Sequence, residues 1–291
     1  MRARAIEFTG AHDNRLVGDL YAGEHCDGVA LFLHGGGQTR HAWDSAVRRL
    51  ALRGMATIAL DQRGHGDSAW VGSGHYAFED YAADLARVSA AIVERFGRRP
   101  LVVGASLGGI AGLMAEGEAA APLAEALVLV DIVPRMDPNG VSRIQGFMRD
   151  RVAEGFGSIE EAAEAVAAYL PHRPRPKSLS GLAKNLRQSE DGRWRWHWDP
   201  RFLDGPRPIN TGMETLVDRL EAASRRLRLP VLLVRGGQSE LVSEDDARAF
   251  LDLVPTAEMA DVSGAGHMVA GDRNDVFAEA VFGFVERLTG T

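Results

Sequence analysis

The chain has 291 residues, enough for one large hydrophobic core or for a core that carries an inserted segment. Its formal net charge of −7 argues against a nucleic-acid-binding surface, which needs an excess of Lys and Arg. The single cysteine, Cys26, excludes an intramolecular disulfide and a metal site built from several cysteines. Neither a signal-peptide core nor an apolar run of about 18 residues is present, so we expect a cytoplasmic protein with no membrane partner.

Short β-rich runs alternate with helical patterns along most of the chain. The predicted strands are 3–8, 16–21, 29–33, 55–60, 101–103, 126–130, 231–234 and 258–262. The predicted helices are 43–53, 81–96, 107–115, 215–227, 244–253 and 276–288. This alternation predicts an α/β fold with a mostly parallel sheet and helices on both of its faces.

The regular alternation stops at Pro134, and no convincing parallel strand follows until the one at 231–234. We interpret residues 134–211 as an inserted cap and residues 1–133 and 212–291 as the core. Within this stretch Trp194, Trp196 and Trp198 alternate with polar residues, a pattern that would place three indoles on one side of an extended segment. We predict that these rings line a substrate pocket, together with Met148; the alternative is that they pack the cap onto the core.

The stretch GASLGG, residues 104–109, lies between a predicted strand and a predicted helix. A G-x-S-x-G pattern in this setting is typical of a nucleophile elbow, where glycines allow a sharp turn that exposes the serine oxygen. We therefore predict that Ser106 is a catalytic nucleophile at the carboxyl edge of the sheet. The alternative is a glycine-rich turn with an incidental serine, since five-residue patterns also arise by accident.

The run HGGG, residues 34–37, ends an earlier strand. Because glycine backbone can approach an acyl oxygen closely, we predict an oxyanion hole made by the amides of Gly36 and Leu107, with Gly37 as the alternative to Gly36. We also expect His34 and Gly35 to line the substrate pocket.

A general base and an acid are needed to activate the serine. His267, in the run GAGHM after the last strand, is placed where its side chain can swing over the sheet edge, and Met268 beside it is expected to line the pocket. The acid should fall between serine and histidine in chain order. We favour Glu240, after the strand at 231–234, over Asp131, which ends the strand at 126–130 and is also suited to bind backbone amides.

Taken together, HGGG at 34–37, DQRGHGDS at 61–68, GASLGG at 104–109 and GAGHM at 264–268 make the chain resemble the α/β-hydrolase superfamily over nearly its whole length. The resemblance implies an eight-stranded, mostly parallel sheet, a cap inserted after the sixth strand, and a reaction without cofactor or metal. It also implies that DQRGHGDS is a structural turn near the site, so Asp61, Arg63 and His65 are expected to be scaffold. Relatives usually carry Asp where this chain has Glu240.

These residues predict acyl transfer on a small, uncharged, moderately apolar carboxylic ester or lactone. Serine as the nucleophile disfavours the epoxide hydrolases and haloalkane dehalogenases, which need a carboxylate there. A carbon–carbon bond hydrolase or a cofactor-free perhydrolase would use the same three residues. A non-catalytic ligand receptor on the same fold is a further alternative, and a homodimer is the oligomer we would expect if the chain assembles.

Overall fold

The computed structural model describes residues 2–171, 173, 178–267, 269 and 274–289. The strands are β1 Arg4–Thr9, β2 Arg15–Tyr21, β3 Gly28–Leu33, β4 Met55–Leu60, β5 Leu101–Ala105, β6 Ala126–Val130, β7 Leu186–Gln188, β8 Trp194–Trp196, β9 Val231–Gly236 and β10 Ala257–Val262. The helices are α1 Asp44–Leu52, α2 Phe78–Phe96, α3 Leu107–Glu118, α4 Pro138–Arg149, α5 Ile159–Tyr169, α6 Ser180–Ala183, α7 Arg201–Asp204, α8 Met213–Arg226, α9 Glu244–Leu253 and α10 Asn274–Thr289.

Eight of these strands form one sheet in the order β1-β2-β4-β3-β5-β6-β9-β10. The pairs β1–β2 and β2–β4 are antiparallel, and every other neighbouring pair is parallel. The prediction of an eight-stranded, mostly parallel sheet is therefore confirmed. Because parallel strands all end at the same edge, the loops after β3, β5, β6, β9 and β10 meet on one side of the molecule.

Both faces of the sheet are covered, as the continuous apolar sequences of its inner strands require. Successive residues of β3 alternate between the two cores. Leu31 and Leu33 belong to the core that contains α2 and α3, whereas Phe32 packs on Trp43, whose ring in turn contacts Phe277 of α10 at a centroid distance of 5.5 Å. This two-sided burial fixes the strand ends from which the site is built.

The segment between β6 and β9 contains α4 to α8 and the two short strands β7 and β8, which pair with each other. Trp194 of β8 also forms an antiparallel bridge with Phe156 of the same segment. It follows the sixth strand in the chain, as expected. The boundaries of a separate cap at 134 and 211 remain a prediction. None of the helices in the described part of the chain has both the length and the apolar character that a bilayer crossing demands.

Candidate active site

Ser106 lies at the sharp turn between β5 and α3. Its backbone has φ 46° and ψ −113°, a strained combination for a residue with a side chain. The flanking glycines are required by close approach, because a Cβ on Gly104 would lie 2.4 Å from the Gly108 carbonyl oxygen, and one on Gly108 would lie 2.6 Å from the Leu33 carbonyl oxygen. The turn therefore has the geometry expected of a nucleophile elbow, with Ser106 partly exposed at the sheet edge.

Asp131 follows β6 directly beside this turn. The register pairs Ala105 with Val130, so Ser106 and Asp131 are the next residues on two neighbouring strands. Asp131 also has a positive φ, of 53°, and its amide donates to the Val234 carbonyl oxygen of β9 at 2.8 Å. Asp131, whose side chain is fully buried, thus follows the strand next to the one that leads into Ser106.

His267 reaches the same place from the loop after β10. Its Nδ1 lies 2.8 Å from Asp131 Oδ2, and the histidine and aspartate side chains are 13% and 0% exposed. The loop crosses Gly236 so closely that a Cβ there would lie 2.3 Å from the Gly266 carbonyl oxygen. The backbone amide of Gln238 donates to the Ala265 carbonyl oxygen at 2.8 Å and stabilises this crossing. With Nδ1 directed at a carboxylate, Nε2 is the nitrogen available to accept a proton.

The choice of Glu240 as the partner of His267 is wrong, since the imidazole is paired with Asp131. The residue of this loop that faces Asp131 is Ser239, whose Oγ lies 2.5 Å from Oδ2. Glu240 is half-buried. The pKa of Tyr169, in the segment between β6 and β9, is raised by burial and further by the charge of Glu240. Chain order could not separate the two acids, because both lie between Ser106 and His267.

The amides of the HGGG loop differ in what they bind. Gly35 donates to Gln38 Oε1 at 3.0 Å and Gly37 donates to His65 Nε2 at 3.1 Å. Among the described residues the Gly36 amide has no acceptor, and Leu107 is the first residue of α3, whose first amides have no intrahelical acceptor. The geometry therefore favours Gly36 over Gly37 as an oxyanion donor.

Two buried histidines hold this loop. His34 accepts from the Gln62 amide at Nε2 (3.0 Å) and donates from Nδ1 to the Gly35 carbonyl oxygen (2.7 Å). His65 donates from Nδ1 to the Arg63 carbonyl oxygen at 2.9 Å, which leaves Nε2 to accept from Gly37. Burial lowers the pKa of His34 to about 4 and that of His65 to about 3, so both rings are neutral near pH 7.

These contacts correct the expectation that His34 lines the pocket, because the ring is fully buried, with one nitrogen bonded to Gly35 and the other to the Gln62 amide. Gly35 is also buried and lies against the serine, with a Cβ there 3.4 Å from Ser106 Cβ.

The DQRGHGDS turn, which contributes His65 to the HGGG loop, is otherwise scaffold, as expected. Arg63 forks onto Asp84 with two bonds of 2.6 Å, and Asp61 accepts from the amides of Arg40 and Asp67.

Apolar side chains from the segment between β6 and β9 cover Gly36. Met148 Cε of α4 lies 3.8 Å from the position of a Cβ on Gly36, and the Phe202 ring of α7 lies 3.4 Å from it. Phe202 was not singled out in the sequence; the only signal was its place two residues after Pro200, at the end of the tryptophan cluster. Buried Trp198 packs edge-on against Phe202 at 6.0 Å.

The other two tryptophans do not share this position. The strand that carries Trp194 and Trp196 ends at residue 196, so the predicted alternation does not extend to Trp198. Trp194 and Trp196 pack on a separate cluster around Phe156 and Leu186, with the Trp196 and Phe156 rings 5.3 Å apart. Trp194 therefore packs within the segment itself, whereas Trp196 also packs on the main core cluster, as the packing alternative requires. Met268, also predicted to line the pocket, lies outside the described residues.

Comparisons with known proteins give one family. The model of the Alpha/beta hydrolase family matches residues 30–280. An esterase of Mycobacterium tuberculosis is 31% identical over 262 residues, which cover 88% of this chain and 82% of the relative. A non-heme haloperoxidase of Rhodococcus erythropolis is 29% identical over 269 residues, covering 88% and 91%.

A solved structure shares the fold throughout. The crystal structure of E-2-(acetamidomethylene)succinate hydrolase has a TM-score of 0.80 at 22% identity, over 98% of this chain and 100% of that one. The family model spans well over half of the chain. The chain therefore belongs to the alpha/beta hydrolase family.

Proposed function

We propose that the protein is a serine hydrolase that cleaves a carboxylic ester or lactone through an acyl-enzyme. The observation that carries the proposal is the strained turn at Ser106 beside the hydrogen-bonded pair of Asp131 and His267. A serine held at positive φ next to a histidine–carboxylate pair is the arrangement that converts a weakly nucleophilic hydroxyl into an attacking group. The esterase among the relatives, at 31% identity, supports the same bond type.

In the proposed reaction, His267 takes the hydroxyl proton of Ser106 as Oγ attacks the carbonyl carbon. The resulting oxyanion accepts hydrogen bonds from the amides of Gly36 and Leu107. The imidazolium then gives its proton to the leaving alcohol oxygen, and the carbon–oxygen bond breaks. In the second half, His267 takes a proton from water, whose oxygen attacks the acyl carbon, and Ser106 leaves with the proton returned to it.

Asp131 has a defined part in both halves. Its carboxylate accepts from His267 Nδ1, which keeps the Nε2 lone pair directed away from the acid and stabilises the imidazolium when it forms. Because the carboxylate is completely buried, its interaction with that charge is weakly screened by solvent.

The expected substrate is small, uncharged and moderately apolar. Met148 and Phe202, which lie against the Cα side of Gly36, carry no charge and offer apolar surface to an acyl chain. An acyl group bound with its carbonyl oxygen at Gly36 would lie against these side chains.

Labelling with a fluorophosphonate, followed by peptide mapping, tests the nucleophile. We expect the label on the peptide that contains Ser106, hydrolysis of short-chain p-nitrophenyl esters by the wild-type protein, and neither label nor turnover in Ser106→Ala. Label on another serine, or ester turnover that persists in Ser106→Ala, would contradict the proposal.

The haloperoxidase among the relatives favours a second candidate. Hydrogen peroxide would replace water as the attacking group: His267 takes a proton from it, the acyl carbon bonds to a peroxide oxygen, and the bond to Ser106 breaks as the proton passes to the serine oxygen, so that a peracid leaves. An ester assay in the presence of hydrogen peroxide, with separate quantification of peracid and acid, distinguishes the two. Peracid formation faster than hydrolysis would favour perhydrolysis.

A further inference from the structure

The hydroxyl of Ser239 has a fixed direction. Its oxygen accepts hydrogen bonds from the amides of Leu241 at 3.0 Å and Val242 at 3.1 Å. A hydroxyl has two acceptor lone pairs and one donor proton. With both lone pairs occupied by backbone amides, the proton is left for the third neighbour, Asp131 Oδ2, at 2.5 Å.

That neighbour is the oxygen that also contacts the imidazole. Asp131 Oδ2 lies 2.8 Å from His267 Nδ1, while Oδ1 accepts from the Gly236 amide at 2.9 Å. Each carboxylate oxygen thus has an anchor: Oδ1 is held by the amide at the end of β9, and Oδ2 is held by the Ser239 hydroxyl in the loop that follows. The terminal torsion of an aspartate is otherwise broad and roughly two-fold, so these anchors decide where Oδ2 lies.

We propose that Ser239 is a positioning residue for the acid: its hydroxyl holds Asp131 Oδ2 in line with His267 Nδ1. The inference rests on the proposed function and deepens it. It also assigns a part in the site to the loop in which the acid was first sought, since that loop orients the carboxylate of the neighbouring strand.

A matched pair of variants isolates the hydroxyl. Ser239→Thr and Ser239→Val have side chains of nearly the same shape, and only threonine keeps the donor. Losing a hydrogen bond to a charged group should lower kcat of Ser239→Val about 10- to 100-fold relative to Ser239→Thr, with little change in KM. Equal kcat values in the two variants, whether high or low, would overturn the proposal.

Two further variants guard against a folding effect. Ser239→Ala removes the hydroxyl without adding a branch, and it should lose kcat as Ser239→Val does; wild-type kcat in this variant would overturn the proposal. Ser243→Ala removes the hydroxyl that caps α9 by accepting from the Asp246 amide at 3.1 Å, in the same loop region but away from Asp131. It should lower stability and leave kcat unchanged.

A signal that does not depend on turnover separates this inference from the proposed function. The imidazole N–H bound to Asp131 should give a strongly downfield proton resonance, assigned by its loss in His267→Gln. We expect the resonance to be kept in Ser239→Thr and shifted or lost in Ser239→Val. A resonance that is identical in the wild-type protein, Ser239→Thr and Ser239→Val would refute the role of Ser239 even if no ester were hydrolysed. A shift or loss in Ser239→Val alone would uphold that role.

Discussion

On the acid side of the site, Asp131 and His267 stand where strand register and a tight backbone crossing put them. Asp131 directly continues β6 beside Ser106, and the His267 loop lies against Gly236 with no room for a side chain. On the oxyanion side, the HGGG loop is held instead by buried polar side chains, above all the neutral rings of His34 and His65. The two halves meet at Ser106 but have different means of support.

This difference sets what each half tolerates. Backbone that is packed against backbone has little freedom to move, so a single added methyl group displaces it. A loop held by neutral, buried histidines is instead sensitive to protons, because a charge placed there would lose its hydration. The part of the site that holds Asp131 and His267 should therefore be disrupted by added side-chain bulk, and the HGGG loop should be disrupted by low pH.

The largest expected effect concerns which acid is used. Asp131→Asn keeps the size of the side chain and is tolerated at positive φ, but its amide would face His267 Nδ1 with a donor and favour the wrong tautomer. We expect kcat to fall about 10⁴-fold. Glu240→Gln is the matched control and should keep nearly all activity. Ester-hydrolysis kinetics on both variants decide the point, and a greater loss in Glu240→Gln would reverse the assignment.

A smaller effect is expected from one methyl group at the backbone crossing. A Cβ on Gly236 would lie 2.3 Å and 2.8 Å from the carbonyl oxygens of Gly266 and Ala265, so Gly236→Ala must shift the loop that carries His267. A displacement of about 1 Å should lower kcat about 10²-fold. In Gly237→Ala the nearest atom would be 3.3 Å away, so this variant is the control. Equal kinetics in the two variants would mean that the crossing does not position the imidazole.

Much of this site follows from local sequence. The elbow at Ser106 was predictable because only glycine fits at residues 104 and 108, and this requirement is written in the motif itself. The position of His267 after the last strand was equally local. The sheet, too, followed from the alternation of apolar strands and amphipathic helices, which expresses burial on both faces.

The carboxylate that pairs with His267 was not predictable in the same way. Asp131 and Glu240 both follow strands, and what separates them is contact across the sheet edge: Ser239 and the Gly236 amide bind the Asp131 carboxylate, and the sequence does not record these contacts. The same holds for the glycine amides, since the Gly37 amide is occupied by His65, a residue 28 positions away. Phe202 reaches Gly36 through tertiary packing and has no periodic pattern of its own.

The two histidines of the oxyanion side also predict how stability depends on pH. Burial lowers the pKa of His34 to about 4. Burial also lowers the pKa of His65 to about 3, and the charge of a protonated His34 lowers it as well. In the unfolded chain each would titrate near pH 6.5. Above that value neither state binds a proton, so the rings add no pH dependence. Below it, the unfolded chain binds protons that the folded protein does not bind. The free energy of unfolding therefore decreases as the pH is lowered.

The smallest effect is therefore expected in His65→Gln, measured by urea unfolding at constant ionic strength between about pH 6.5 and 4.5. Each buried histidine contributes up to about 1.4 kcal/mol per pH unit to the acid slope in this window. His65→Gln should remove one such contribution, since the glutamine oxygen can still accept from Gly37 but does not titrate. His25→Gln, at an exposed position, should keep the wild-type slope. An unchanged slope in His65→Gln would mean that the His65 ring is already charged in the folded protein. The Gly37 amide would then have no acceptor at His65 and would compete with Gly36 for the oxyanion.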